Sequence, residues 1–160
     1  MTARSAGLLC YRSGRAGPEV LLVHPGGPYW ARRDAGVWSI PKGEVEPGEE
    51  PVDVAAREFA EELGQPPPPG RWLELGHVVQ RAGKRVDAWA VAGDLDVTTV
   101  RSNRFEVEWP PRSGRRQSFP EVDRAGWFDG PEARVKLLAA QRPLLERLAV
   151  LLAEDPSARG

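Results

Sequence analysis

Gly43-Glu44-Val45-Glu46-Pro47-Gly48-Glu49-Glu50-Pro51-Val52-Asp53-Val54-Ala55-Ala56-Arg57-Glu58-Phe59-Ala60-Glu61-Glu62-Leu63-Gly64-Gln65 is the stretch that decides the reading of this chain. Pro51 suits the first position of a helix, where its missing N–H is not needed, and Gly64 suits a left-handed cap, so a helix is predicted over 51–63. At about 100° per residue, with Phe59 at zero, Val52, Ala55, Ala56 and Leu63 fall within about 60° of it and form an apolar stripe. Glu62, Glu58 and Glu61 follow at about −60°, −100° and −160°, so three carboxylates start at the edge of the buried face. Like charges three and four residues apart cost an isolated helix about 0.2–0.5 kcal/mol per pair, so a compensating cation is expected. With oxygen ligands and no Cys or His in the stretch, that cation is a hard one, magnesium or manganese rather than zinc. Taken alone, such a Glu trio also reads as a solvated helix face.

The stretch resembles the signature of the Nudix hydrolases: a Gly, five residues, a Glu, seven residues, then Arg-Glu-apolar-any-Glu-Glu-any-Gly-apolar. Gly43, Glu49, Arg57, Glu58, Phe59, Glu61, Glu62 and Gly64 fit, and Gln65 departs where an apolar residue is usual. Seven fixed identities at roughly one in fifteen each put chance agreement on the order of 10⁻⁸ per window. The lead-in Trp38-Ser39-Ile40-Pro41-Lys42 is similar to that of members acting on dinucleoside polyphosphates, diphosphoinositol phosphates or nucleoside triphosphates.

The resemblance implies a Nudix-type α/β/α sandwich with a mixed central sheet, and residues 1–160 as one domain. It implies Glu58 and Glu62 as the chief metal ligands, with a backbone carbonyl at Lys42 or Gly43 completing the shell. Glu61 would bind a second ion or take a proton from the attacking water, and Arg57 and Glu49 would form a charge pair holding loop against helix. Glu121, six residues before Trp127, stands where related hydrolases place a further Glu, as base or ligand; Glu106 and Glu108 compete for that role. Lys42 would offer a positive charge to a phosphate, or else is a solvated loop Lys. The cofactor would be Mg²⁺ or Mn²⁺, because a divalent ion neutralises a diphosphate and acidifies bound water.

Outward from this stretch, strands are predicted over 5–11, 19–24, 37–40, 72–80 and 85–91, with turns at 14–18 and 81–84. Residues 100–120 read as a long excursion in which only 105–109 resembles a strand. Pro131 and Pro143 each open a helix, the second carrying Leu144, Leu145, Leu148, Leu151 and Leu152 as packing residues. Helices on both faces of a mixed sheet follow from this order of elements. Cys10, the only cysteine, sits in an apolar strand, and His24 and His77 occupy strand contexts and read as structural or peripheral.

The formal net charge of −1 provides no broad field for duplex nucleic acid or an anionic membrane. Neither a signal peptide nor an apolar run of about 20 residues is seen, so a cytoplasmic location is expected. Arginines 32, 33, 101, 104, 112, 115 and 116 lie where they could reach phosphates, and Trp30 or Trp109 could stack on a base. The expected activity is metal-dependent hydrolysis of a nucleoside triphosphate or dinucleoside polyphosphate by water attack at phosphorus. Two alternatives stay open: a Nudix hydrolase of another diphosphate (ADP-ribose, a nucleotide sugar, coenzyme A or capped RNA), or a nucleotide sensor without turnover. A homodimer is compatible with the family.

Overall fold

The structure, a computed structural model, describes residues 3–155. Its centre is β1 (Arg4–Gly14), which runs parallel to β5 (Arg85–Ala92) along one edge. On its other edge β1 changes partners. Its C-terminal half forms a hairpin with β2 (Gly17–Pro25), and its N-terminal residues Ser5 to Gly7 pair with the short β3 (Lys42–Glu44). β4 (Leu73–Val79) and β8 (Val122–Asp129) complete the sheet in the order β4-β5-β1-β2-β8. β6 (Arg104–Glu108) and β7 (Arg116–Pro120) form a separate two-stranded hairpin.

Alternation along the strands sends side chains to two cores. Ala6, Leu8, Cys10, Leu21 and Val23 meet α1 (Pro51–Leu63) through Val54, Ala55, Phe59 and Leu63. Leu9, Tyr11, Val20 and Leu22 face the other way, toward α2 (Gly130–Lys136) and α3 (Arg142–Glu154), which bury Ala133, Leu144, Leu148 and Leu152. The architecture is therefore the expected α/β/α sandwich around a mixed sheet.

Several local expectations differ. Residues 37–40 make only isolated bridges, Val23 with Ser39 and Trp38 with Leu137, because this segment crosses between β2 and α2 instead of extending a ladder. β3 lies within what reads as a loop, and β8 and β7 were not predicted. β7 is polar and mostly exposed, and β8 buries only Val122 fully, so neither shows the apolar alternation that marks a strand. In α1, Val52 is exposed, and Val54 joins the core instead. The buried face is thus rotated toward the side carrying Glu58 and Glu62. Gly64 does take the left-handed conformation (φ 70°), and its N–H bonds to the Ala60 carbonyl.

Candidate active site

Where β1 exchanges β2 for β3, the two strands part, and the chain from Trp38 to Glu44 is wedged between them. The Leu8 N–H donates to the Pro41 carbonyl (3.1 Å), and Val23 and Ser39 exchange backbone bonds. The buried Gln141 accepts from the Ile40 N–H (3.0 Å) and donates to Ser39 Oγ and Gln80 Oε1. No motif marks Gln141, and it emerges only from the fold.

α1 lays its carboxylates against this wedge. A Cβ on Gly43 would stand 2.0 Å from Glu58 Cδ, so the Glu58 carboxylate occupies the space that any other residue at 43 would fill. Burial, then the nearby Glu61, pushes the Glu58 carboxyl up, partly opposed by Arg57. Glu62 is more deeply placed: burial pushes its carboxyl up to about 8 against the opposing pull of Lys42, with Glu58 and Glu121 raising it further. Its Oε2 is buried without a hydrogen-bond partner. Lys42, half-buried, is pulled down first by its own desolvation and by Lys84, while Glu62, Glu58 and Glu44 act in the other direction.

Arg57 donates to Glu49, whose other carboxylate oxygen accepts the Glu46 N–H (2.9 Å), so one guanidinium ties the 46–49 turn to α1. The same guanidinium stands 3.7 Å from Glu58 and 3.8 Å from Glu61, between the acids. Glu61 is the most exposed of the helix trio, with 38% of its side chain accessible against 16% for Glu58.

A cavity of about 240 Å³ opens beside the wedge, lined in part by Trp30, Ser39, Lys42, Glu62 and Glu121. Glu121 therefore shares a cavity with Glu62. Glu106 and Glu108 sit apart on the hairpin, the first 3.7 Å from Arg116 and the second accepting the Gly114 N–H. His77 is exposed on the edge strand β4, away from the cavity. Gln65, the departure from the signature, uses its amide to bond the Asp96 carbonyl (3.1 Å) and Thr99 Oγ1 (2.8 Å), replacing an apolar contact with two hydrogen bonds.

Of the aromatic and basic candidates, Trp30 lines the cavity. Tyr29 lies edge-on to Trp109 (5.2 Å), which joins the 26–36 loop to the tip of the β6-β7 hairpin, and Arg33 lies over the Trp30 ring (5.4 Å). Arg104 is engaged by Ser118 and Arg116 by Glu106. Arg32, Arg101, Arg112 and Arg115 make no side-chain bond to another described residue.

The donor set suits a hard divalent ion: two protected carboxylates, one with an orphaned oxygen, and no sulfur or imidazole beside them. Among the described residues no three acidic, His or Cys side chains gather closely enough to cage an ion. That agrees with the way magnesium is commonly held, by one or two carboxylates with water and substrate phosphate making up the shell.

The NUDIX domain family model matches residues 1–148. Among solved structures the chain is similar to a C. elegans Ap4A hydrolase (23% identity, 96% of this chain and 100% of that one, TM-score 0.65). It is also similar to the MutT protein of Methanosarcina mazei Go1 (25%, 94% and 94%, 0.60) and to the NUDIX domain of Shewanella oneidensis NrtR, solved with ADP ribose (14%, 95% and 89%, 0.64). With a family model over nearly its whole length and a carboxylate helix seated on the glycine that opens the signature, the chain belongs to the Nudix family.

Proposed function

We propose that this Nudix hydrolase cleaves a diphosphate linkage in a nucleoside triphosphate or dinucleoside polyphosphate in the cytoplasm, using Mg²⁺ or Mn²⁺. The observation that carries the reading is Glu62: a protected carboxylate with an orphaned oxygen, next to Glu58 and Lys42, in a cavity that also holds Glu121. Leaving a buried charge without a partner is costly, and a divalent ion supplies the missing one.

Glu58 and Glu62 would hold the ion with the carbonyl of Lys42 or Gly43. When bound, the ion neutralises phosphate charge and lowers the pKa of a bound water. Lys42, which lines the same cavity, would offer its ammonium group to a phosphate oxygen. Glu121 or Glu61 takes a proton from the attacking water; Glu121 has the better position, since it shares the cavity with Glu62. Arg57 and Glu49 keep the loop closed on the helix. Trp30 would present a face for a base, and Arg32, Arg112 and Arg115 would offer charge to a phosphate chain.

A substrate panel with magnesium or manganese tests this: nucleoside triphosphates, diadenosine polyphosphates, ADP-ribose, nucleotide sugars and coenzyme A, with products identified. Metal-dependent cleavage of nucleoside polyphosphates in preference to the others is expected. Preferred cleavage of ADP-ribose or coenzyme A would replace the substrate assignment, and binding without cleavage would favour a sensor.

A further inference from the structure

His24, at the end of β2, is fully buried and lies between two groups that both accept hydrogen bonds. Its Nε2 is 2.6 Å from the Arg33 carbonyl oxygen, and its Nδ1 is 2.8 Å from Asp123 Oδ1 on β8. A neutral imidazole has one N–H and one bare nitrogen, so it satisfies only one acceptor; an imidazolium satisfies both. The charged groups around it are Asp123 and Arg124 from β8 (3.8 Å apart), and Asp34, which takes Trp38 Nε1–H and the Lys136 ammonium. The Trp38 ring closes the remaining side, edge-on at 5.2 Å.

The two partners belong to the two segments that bring Trp30 and Glu121 to the cavity. Arg33 lies three residues beyond Trp30 in the 26–36 loop, and its N–H closes a turn on the Trp30 carbonyl (2.9 Å). Asp123 is two residues beyond Glu121. Elsewhere the loop is tied by backbone bonds from the Gly26 N–H to the Glu121 carbonyl and from the Gly36 N–H to the Val135 carbonyl, and by the Asp34 carboxylate near its end, which leaves His24 as the side-chain tie to β8. We infer that His24 is a positioning residue: by donating from both ring nitrogens it fixes the Trp30 wall of the cavity to the strand that presents Glu121. This rests on the function proposed above, because it assigns that cavity to the substrate.

The role predicts which changes matter. Asp123→Ala removes one acceptor and frees the ring, whereas Asp123→Asn keeps both bonds, its amide donating to Nδ1 while a neutral ring donates from Nε2. With nucleoside triphosphate and magnesium, Asp123→Ala should raise KM about fivefold to tenfold with kcat changed less than twofold, and Asp123→Asn should restore KM to within about twofold of the wild type. Because Asp123 is near the surface, these variants are expected to fold where a His24 replacement would leave a buried hole. In ring-nitrogen NMR of the full-length protein, His24 should show protons on both nitrogens, and in Asp123→Asn on Nε2 alone. A bare ring nitrogen in the wild type, or Asp123→Ala with unchanged KM, would overturn the inference. Failure of the wild type to turn over any panel substrate would overturn the function, with the NMR result still deciding the donor arrangement.

Discussion

α1 and α3 are both 13 residues long, both open on a proline, and each packs on one face of the same sheet. α3 does so with Leu144, Leu148 and Leu152, one per turn, and leaves Glu146 and Arg147 exposed; only Arg142, at its first position, carries a buried unpartnered atom, its Nε. α1 buries Val54, Ala55, Phe59 and Leu63 but also draws Glu58 and Glu62 into the protected zone, one with an unpartnered oxygen. The difference separates two uses of amphipathicity. A helix that only packs keeps its carboxylates out, whereas one suited to the proposed ion accepts carboxylates at the margin of its core, where an ion would satisfy them.

Substitutions on the two helices should therefore break different properties. Glu62→Gln is expected to lower kcat/KM on the order of 10³-fold, since several kcal/mol of charge stabilisation would depend on the ion it is proposed to hold. The fold should persist, and turnover with magnesium checks it; retained activity would remove Glu62 from the site. Leu148→Ala on α3 should do the reverse, costing about 2–5 kcal/mol in chemical denaturation with kcat/KM preserved in the folded fraction.

The pH response sharpens the contrast. Burial pushes the Glu62 carboxyl up to about 8, above its ordinary value of 4.5, so the folded state keeps a proton that the unfolded state releases. The stability from this group is present below about pH 4.5 and is lost as pH rises toward about 8. Metal-free protein should thus melt progressively lower across that range, magnesium or manganese should reverse the loss, and Glu62→Gln should flatten the profile. A metal-free wild type whose melting temperature is as insensitive to pH as that variant's would contradict the assignment.

Smaller effects belong to the supports. Arg57 holds the Glu49 carboxyl below its ordinary range, and Glu49→Gln should weaken metal binding about 10- to 100-fold, read by titration, with little change in melting temperature. Gln65→Leu, which restores the apolar residue usual in the signature, exchanges two surface hydrogen bonds for packing and should leave activity unchanged. A tenfold change there would mean that the 96–99 turn reaches the site.

The helix and its cap were legible because amphipathic spacing, Pro51 and Gly64 are local signals, and the carboxylates were legible because they sit on one face at fixed offsets. The rotation that exposes Val52 and draws in Glu58 and Glu62 was not, because an ideal wheel does not know which side of a helix meets the wedge. The proximity of Glu121 to Glu62 depends on β8 pairing with β2, a contact 100 residues apart in the chain for His24 and Arg124. Nothing local announces the role of His24, Asp123 or Gln141, since each acts on a partner brought near only by folding.

The β6-β7 hairpin is closed at its neck by backbone bonds. The Glu121 N–H bonds the Asn103 carbonyl (2.8 Å), and the Asn103 N–H bonds the Glu61 carbonyl at the end of α1 (3.1 Å). The 17 residues from 104 to 120 therefore hang from a closed clasp. Because the clasp closes below them, they can be lengthened or shortened without changing the register of Glu121 against the helix.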